Sequence, residues 1–203
     1  QICLILMTDN LVSLYISLAP VILAGIVNSA FCKSPVLAQL NIPIDGKRSF
    51  VDGRRIFGNS KTYKGFLGYI IITTVFYVAW GVLSLNSTFL THYNFFYQNH
   101  TNAIMFNLFI GILLGFAWAL CELPNSFLKR RLGIGQSRTL RGWKKVFFVI
   151  LDQADSIFGI TIIIALFYTL SIGNYFFFVA VGAATHLLFN YLLYLAKLRK
   201  NPV

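Results

Sequence analysis

Two carboxylates, Asp152 and Asp155, stand three residues apart in VFFVILDQADSIFGITIIIALFYTLS, a segment otherwise apolar enough to lie in a bilayer. On a helix that spacing puts them on one face. Asp152 is six residues beyond Val146, about 9 Å along a helix rising 1.5 Å per residue. A single carboxylate near a bilayer centre costs about 2.5–3.5 kcal/mol on insertion scales, and two that repel cost more unless a cation stands between them. No basic residue neighbours them on this helix, so the cation comes from another segment or from a metal. An ion pair with a loop Arg or Lys is one reading. A hard-metal site open to water is the sharper one, because oxygen ligands with retained waters suit Mg2+, which needs one or two carboxylates plus substrate phosphates.

Two further stretches carry complementary chemistry. IPIDGKRSFVDGRRIFGNSKTYKGF mixes four glycines with six cations and the acids Asp45 and Asp52. Glycines let backbone N–H groups approach anions, and Arg and Lys donate to phosphate. A plain basic loop touching anionic headgroups is the simpler alternative. No GxxxxGK[ST] run is present, so this is not a Walker loop. CELPNSFLKRRLGIG places Glu122, Ser126, Lys129 and Arg130 close together, with Pro124 expected to kink or restart the helix. No histidine accompanies these groups, which excludes an acyl-transfer triad. His186 stands alone and reads as a packed, hydrogen-bonded residue. Carboxylates, Lys and Arg without histidine equip phosphoryl or nucleotidyl transfer.

The elements that must position these groups are membrane helices. Of 203 residues 57% are apolar and 11% charged, too greasy for a soluble domain. Five apolar runs, at about 11–32, 65–85, 103–123, 146–172 and 175–196, each match the ~20 residues a spanning helix needs. One polytopic all-α domain over 1–203 follows, since unpaired backbone in lipid permits only helices or closed barrels. The residues before the first run, QICLILMTD, lack the basic start of a signal peptide, so that run is expected to be retained. The chain has seventeen Lys and Arg: seven between spans one and two, seven between spans three and four, and Lys197, Arg199 and Lys200 after span five. The positive-inside rule then expects an outside N-terminus, cytoplasmic loops at 33–64 and 124–145, and a cytoplasmic C-terminus. Cys3, Cys32 and Cys121 make no CxxC pair, against a disulfide framework or zinc site.

The runs DGRRIFGNSKTYKGF, SFLKRRLGIG and ILDQADSIFG resemble the CDP-archaeol synthase family, cytidylyltransferases related to the CDP-diacylglycerol synthases. The resemblance extends from about residue 43 to residue 159. It implies that CTP and a lipid phosphate give CDP-lipid and pyrophosphate with Mg2+. The phosphate would be phosphatidate-like or that of an isoprenoid ether lipid. In that reading Asp152, Asp155 and Glu122 hold metal. Ser126 and Lys129 join Asp152 and Asp155 in catalysis. Asp52, Arg54, Arg55, Lys61, Lys64 and Arg130 serve substrate binding, while Asp45 and Asp52 order the loop or reach metal through water. The implied setting is the cell membrane, among membrane lipids, with the active site facing the cytoplasm, room for a homo-oligomer, and no nucleic acid. The family has Gly-Asp where this chain has Cys121-Glu122, and Gly where it has Asn125. A catalytically silent lipid-binding relative and a CDP-alcohol phosphotransferase are the rival readings. DGRRIFG lacks the Ala-Arg step and trailing acids of the latter.

Overall fold

A computed structural model describes residues 2–135, 142–195 and 197, without the side chains of 2–8 and 193. Arg138, Arg141, Arg199, Lys200 and the side chain of Cys3 lie outside the described residues. Among the described residues seven α-helices run in order: α1 (Ile2–Lys33), α2 (Tyr63–Leu85), α3 (Thr88–His92), α4 (Phe95–Asn99), α5 (Ile104–Arg131), α6 (Trp143–Phe167) and α7 (Ile172–Leu195). Extended pairing among the described residues is limited to two isolated bridges, Pro43 with Thr62 and Ser49 with Arg55. Among the described residues five helices are long and apolar enough to cross a membrane, as the apolar runs predict. The all-α polytopic expectation therefore holds.

Local chemistry sets the helix ends. Thr62 caps α2, its hydroxyl accepting from Gly65 N at 3.2 Å, and Ser171 accepts from Asn174 N at 3.1 Å at the start of α7. Such hydroxyl caps take up backbone donors that have no partner within the helix. The Ser171 cap starts α7 at Ile172, three residues before the expected 175, and α6 stops at Phe167, short of 172, with the Tyr168 N–H on the Ile164 carbonyl. The larger correction concerns α5. Helix continues through Pro124 to Arg131, so it does not restart there. Proline removes one backbone donor, and membrane helices tolerate that where neighbouring groups hold the turn. Here Asn125, Ser126 and Lys129 all hydrogen-bond around it.

Helix contacts depend on small residues. A Cβ at Gly111 would stand 2.6 Å from Thr74 Cα, and one at Gly115 2.7 Å from Ile70 Cα, so α2 and α5 meet backbone to backbone. This is the small-xxx-small packing of membrane helices. Gly159 does the same for α6 against the Ala117 carbonyl, 2.7 Å from its would-be Cβ. Tyr69 and Tyr77 of α2 are buried and donate to the Val21 and Ser17 carbonyls of α1 at 3.0 and 3.3 Å. Helices α3 and α4 close the bundle end away from the long loop. Buried Phe95 and Phe96 seat there, and Tyr97 donates to Asn107 at 2.8 Å. Across an exposed seam between α1 and α7, the Tyr15 and Thr185 hydroxyls share a 2.8 Å hydrogen bond. Every described lysine and arginine lies at the bundle end opposite α3 and α4, with the loop 34–62.

Candidate active site

That loop is organised around one buried carboxylate. Asp45 accepts from Arg55 Nη2 at 2.5 Å and Arg55 Nε at 3.2 Å. It also accepts from the backbone N–H groups of Lys47, Phe57 and Gly58 at 3.0, 3.0 and 2.9 Å. Burial alone would raise its pKa. The Arg55 guanidinium and then the N–H groups of Gly58, Phe57 and Lys47 outweigh burial and hold it at about 2. Of the alternatives open for Asp45, loop ordering is the one these bonds perform. Gly58 has φ 92°, so the turn requires glycine, and a Cβ there would meet Arg130 Nε at 2.9 Å and shift that side chain.

The C-terminal turn of α5 clasps this loop. Arg130 Nε donates to the Phe57 carbonyl at 3.2 Å. Arg131 pairs with Asp52 and donates to the Arg54 and Arg55 carbonyls at 3.1 and 2.6 Å. Arg54 returns a bond to the Arg131 carbonyl. Asp52, for which substrate binding and loop ordering were both expected, here ties loop to helix and caps its own turn through Arg54 N at 3.1 Å. Lys64 also departs from expectation. Its side chain is 2% exposed, donates to the Ser34 carbonyl at 2.6 Å and lies 4.8 Å from the Phe31 ring centroid. The carbonyls at the end of α1 lack intrahelical donors and carry partial negative charge, so they attract the ammonium.

The acids meet between α5 and α6. Lys129 Nζ donates to both Asp152 oxygens at 2.5 Å and sits 5.7 Å from the Phe148 ring centroid. Asn125 Nδ2 bridges the pair, donating to Asp152 Oδ1 at 2.6 Å and Asp155 Oδ2 at 2.7 Å. Ser156 Oγ donates to Asp155 Oδ1 at 3.0 Å. One turn earlier on α5, Glu122 pairs with Lys61 and accepts from Trp118 Nε1 at 3.0 Å and Ser156 Oγ at 3.3 Å. Burial alone would lower the Lys61 pKa, and the Glu122 charge and hydrogen bond raise it above the usual lysine value. Ser126 spends its hydroxyl on the Glu122 carbonyl at 3.0 Å, a bond within its own helix. The cation expected beside the Asp pair is thus a lysine from α5.

Among the described residues no three His, Cys, Asp or Glu converge as metal ligands. The expected three-carboxylate set of Asp152, Asp155 and Glu122 does not converge among them; Glu122 is salt-bridged to Lys61. The pair itself fits a hard divalent cation. Two carboxylate oxygens converge on one nitrogen, the Asp152 side chain is 38% exposed, and the Asn125 Oδ1 beside them is buried without a partner.

A cavity of about 260 Å3 opens beside this cluster. Lys61 and Glu122 line one part, while Leu18, Ile160, Val181 and Phe189 line the apolar part between α1, α6 and α7. Trp118 forms one wall, stacked on Tyr69 at 5.0 Å and edge-on to His186 at 5.3 Å.

Residues 11–203 match the family model described as CarS-like: CDP-archaeol synthase. The chain belongs to that family. A CDP-archaeol synthase of Pyrobaculum islandicum is 31% identical over 83% of this chain and 88% of its own length. One of Thermococcus kodakarensis is 31% identical over 79% and 82%. A solved structure of an intramembrane enzyme for archaeal membrane lipid biosynthesis superposes with a TM-score of 0.58 at 24% identity, covering 87% of this chain and 91% of that one; it shows the shared fold. Family membership makes the chain a membrane lipid cytidylyltransferase and sets aside the CDP-alcohol phosphotransferase reading.

Of the expected site residues, Asp152, Asp155, Lys129, Glu122 and Lys61 stand together, Asp52, Arg54, Arg55 and Arg130 belong to the loop clasp, and Lys64 sits under the end of α1. Sequence reasoning passed over Trp118 and Ser156 and marked Asn125 only as a departure from the family pattern. The signal for Asn125 was its departure from the family pattern directly beside Ser126. Trp118 is four residues before Glu122, a helical turn that puts its N–H on the carboxylate.

Proposed function

We propose that this chain transfers the cytidylyl group of CTP to an isoprenoid ether lipid phosphate, using Mg2+ at the cytoplasmic face of the cell membrane. The observation that carries it is the junction of Lys61 and Glu122. There, a polar cluster under an arginine-rich loop adjoins an apolar cavity inside the bundle. A lipid phosphate stands at such a junction with its chains in the cavity. The nucleotide enters from the loop, where Arg54, Arg55, Lys61 and Lys129 are within reach. One phosphate oxygen of the lipid attacks the α-phosphorus of CTP. The new P–O bond forms as the bond to the β-phosphate bridging oxygen breaks, and pyrophosphate leaves. Lys61 and Lys129 offset the charge that gathers on the phosphates. Mg2+ would be held by Asp152 and Asp155 and would add to that neutralisation. The clustering of described cations at one bundle end supports the cytoplasmic assignment.

The test is pyrophosphate release by purified protein given CTP, Mg2+ and a panel of ether and ester lipid phosphates. Release with ether lipid phosphates is expected, together with its loss in Asp155→Asn that still melts like the parent. Folded wild-type protein inert toward every lipid would favour the silent relative, in which Lys129 and Asn125 are permanent partners of the pair.

A further inference from the structure

Asn125 is 6% exposed, and its amide is used unevenly. Both hydrogens of Nδ2 are spent on the two carboxylates, while Oδ1 is buried with no donor. A stranded buried acceptor costs about 1–3 kcal/mol, so buried polar atoms left this way need a reason. The amide's nitrogen and oxygen are nearly equal in size and exchange places by a half-turn. That half-turn forfeits no bond on the oxygen side. It brings Oδ1 to the point where Asp152 Oδ1 and Asp155 Oδ2 converge. Three oxygens there repel one another with nothing between them, and they are the donor set a hard divalent cation takes.

From this we infer that Asn125 is the third protein ligand of the divalent cation, through Oδ1, and that its N–H2 group holds the cation's place when the cation is away. The inference rests on the proposal that Asp152 and Asp155 bind that cation. It moves the ligand role one helical turn along α5, from Glu122 to Asn125. Glu122 has its oxygens committed to Lys61, Trp118 and Ser156. Asn125 already touches both acids and needs only to rotate.

Mn2+ is the probe, read by electron paramagnetic resonance on the full chain in detergent without nucleotide, with the melting temperature of each variant taken alongside. Asn125→Ala is expected to weaken Mn2+ binding about 10- to 100-fold. Asn125→Asp, which retains an oxygen and lacks the N–H2, is expected to bind at least as tightly as wild type. Asp155→Asn is expected to abolish binding. If Asp155→Asn loses Mn2+ while Asn125→Ala binds within twofold of wild type, the ligand role of Asn125 is refuted and the cation reading stands. Asn125→Asp binding as poorly as Asn125→Ala refutes it too, since the nitrogen was then what mattered. Wild type that binds no Mn2+, or Asp155→Asn that binds it normally, overturns both together.

Discussion

Removing the Asp45 carboxylate is expected to unfasten the loop 34–62 while the five spans stay folded. Asp45→Ala leaves three backbone N–H groups and a guanidinium without the acceptor they share. Each stranded buried donor costs about 1–3 kcal/mol, and breaking a buried ion pair from one side costs about 3–5 kcal/mol. Water reaches part of the vacated space, because the Arg55 side chain is 27% exposed. About 3 kcal/mol of loop order is therefore at stake, some 100-fold in the closed-to-open ratio at 1.4 kcal/mol per decade. Hydrogen exchange of the amides of Lys47, Phe57 and Gly58, in detergent at neutral pH, reads that ratio directly. A pH series on wild type gives a second reading. The pKa of Asp45 is lowered in the fold, so its stabilisation is fully present above the ordinary carboxylate value near 4. It shrinks as pH falls and is gone once pH passes below about 2. The span of nearly two units corresponds to about 2 kcal/mol, in line with the contact-based figure. Loop protection within threefold of wild type in Asp45→Ala would refute the claim that this carboxylate organises the loop.

Gly115→Val would place side-chain atoms within reach of the Ile70 backbone, forcing α2 and α5 apart. A loss of about 1–3 kcal/mol is expected, seen as a lower thermal midpoint in detergent. Lys64→Met removes a buried ammonium and its bond to Ser34. Stability is expected to fall by about 1.5–3 kcal/mol, while the KM for CTP in the folded fraction stays within twofold. A large rise in KM would return Lys64 to the substrate site.

Much of the architecture could be read from apolar run lengths, and the concentration of charge at one end could be read from cation counts. Both are one-dimensional properties of a membrane chain. The ends were less legible. Pro124 is a helix breaker by its own chemistry, yet the turn around it is held by Asn125, Ser126 and Lys129, and the partners that anchor those side chains include Asp152, 27 residues away from Asn125. Residue type brought Asp152, Asp155, Lys129 and Lys61 into one candidate set, and they do stand together. Type could not say which cation faces which acid. Lys64 resembles a phosphate ligand until the end of α1, 30 residues earlier, is found beneath it. Asp45 looked like a secondary member of the loop, because its five donors gather only once the chain has turned back on itself.

Four of the five acids at this end of the molecule are matched to a base: Asp45 with Arg55, Asp52 with Arg131, Glu122 with Lys61 and Asp152 with Lys129, while Asp155 is held by Asn125 and Ser156. An arriving triphosphate does not find bare positive charge. It must trade places with a carboxylate already seated, so docking is an exchange of counterions.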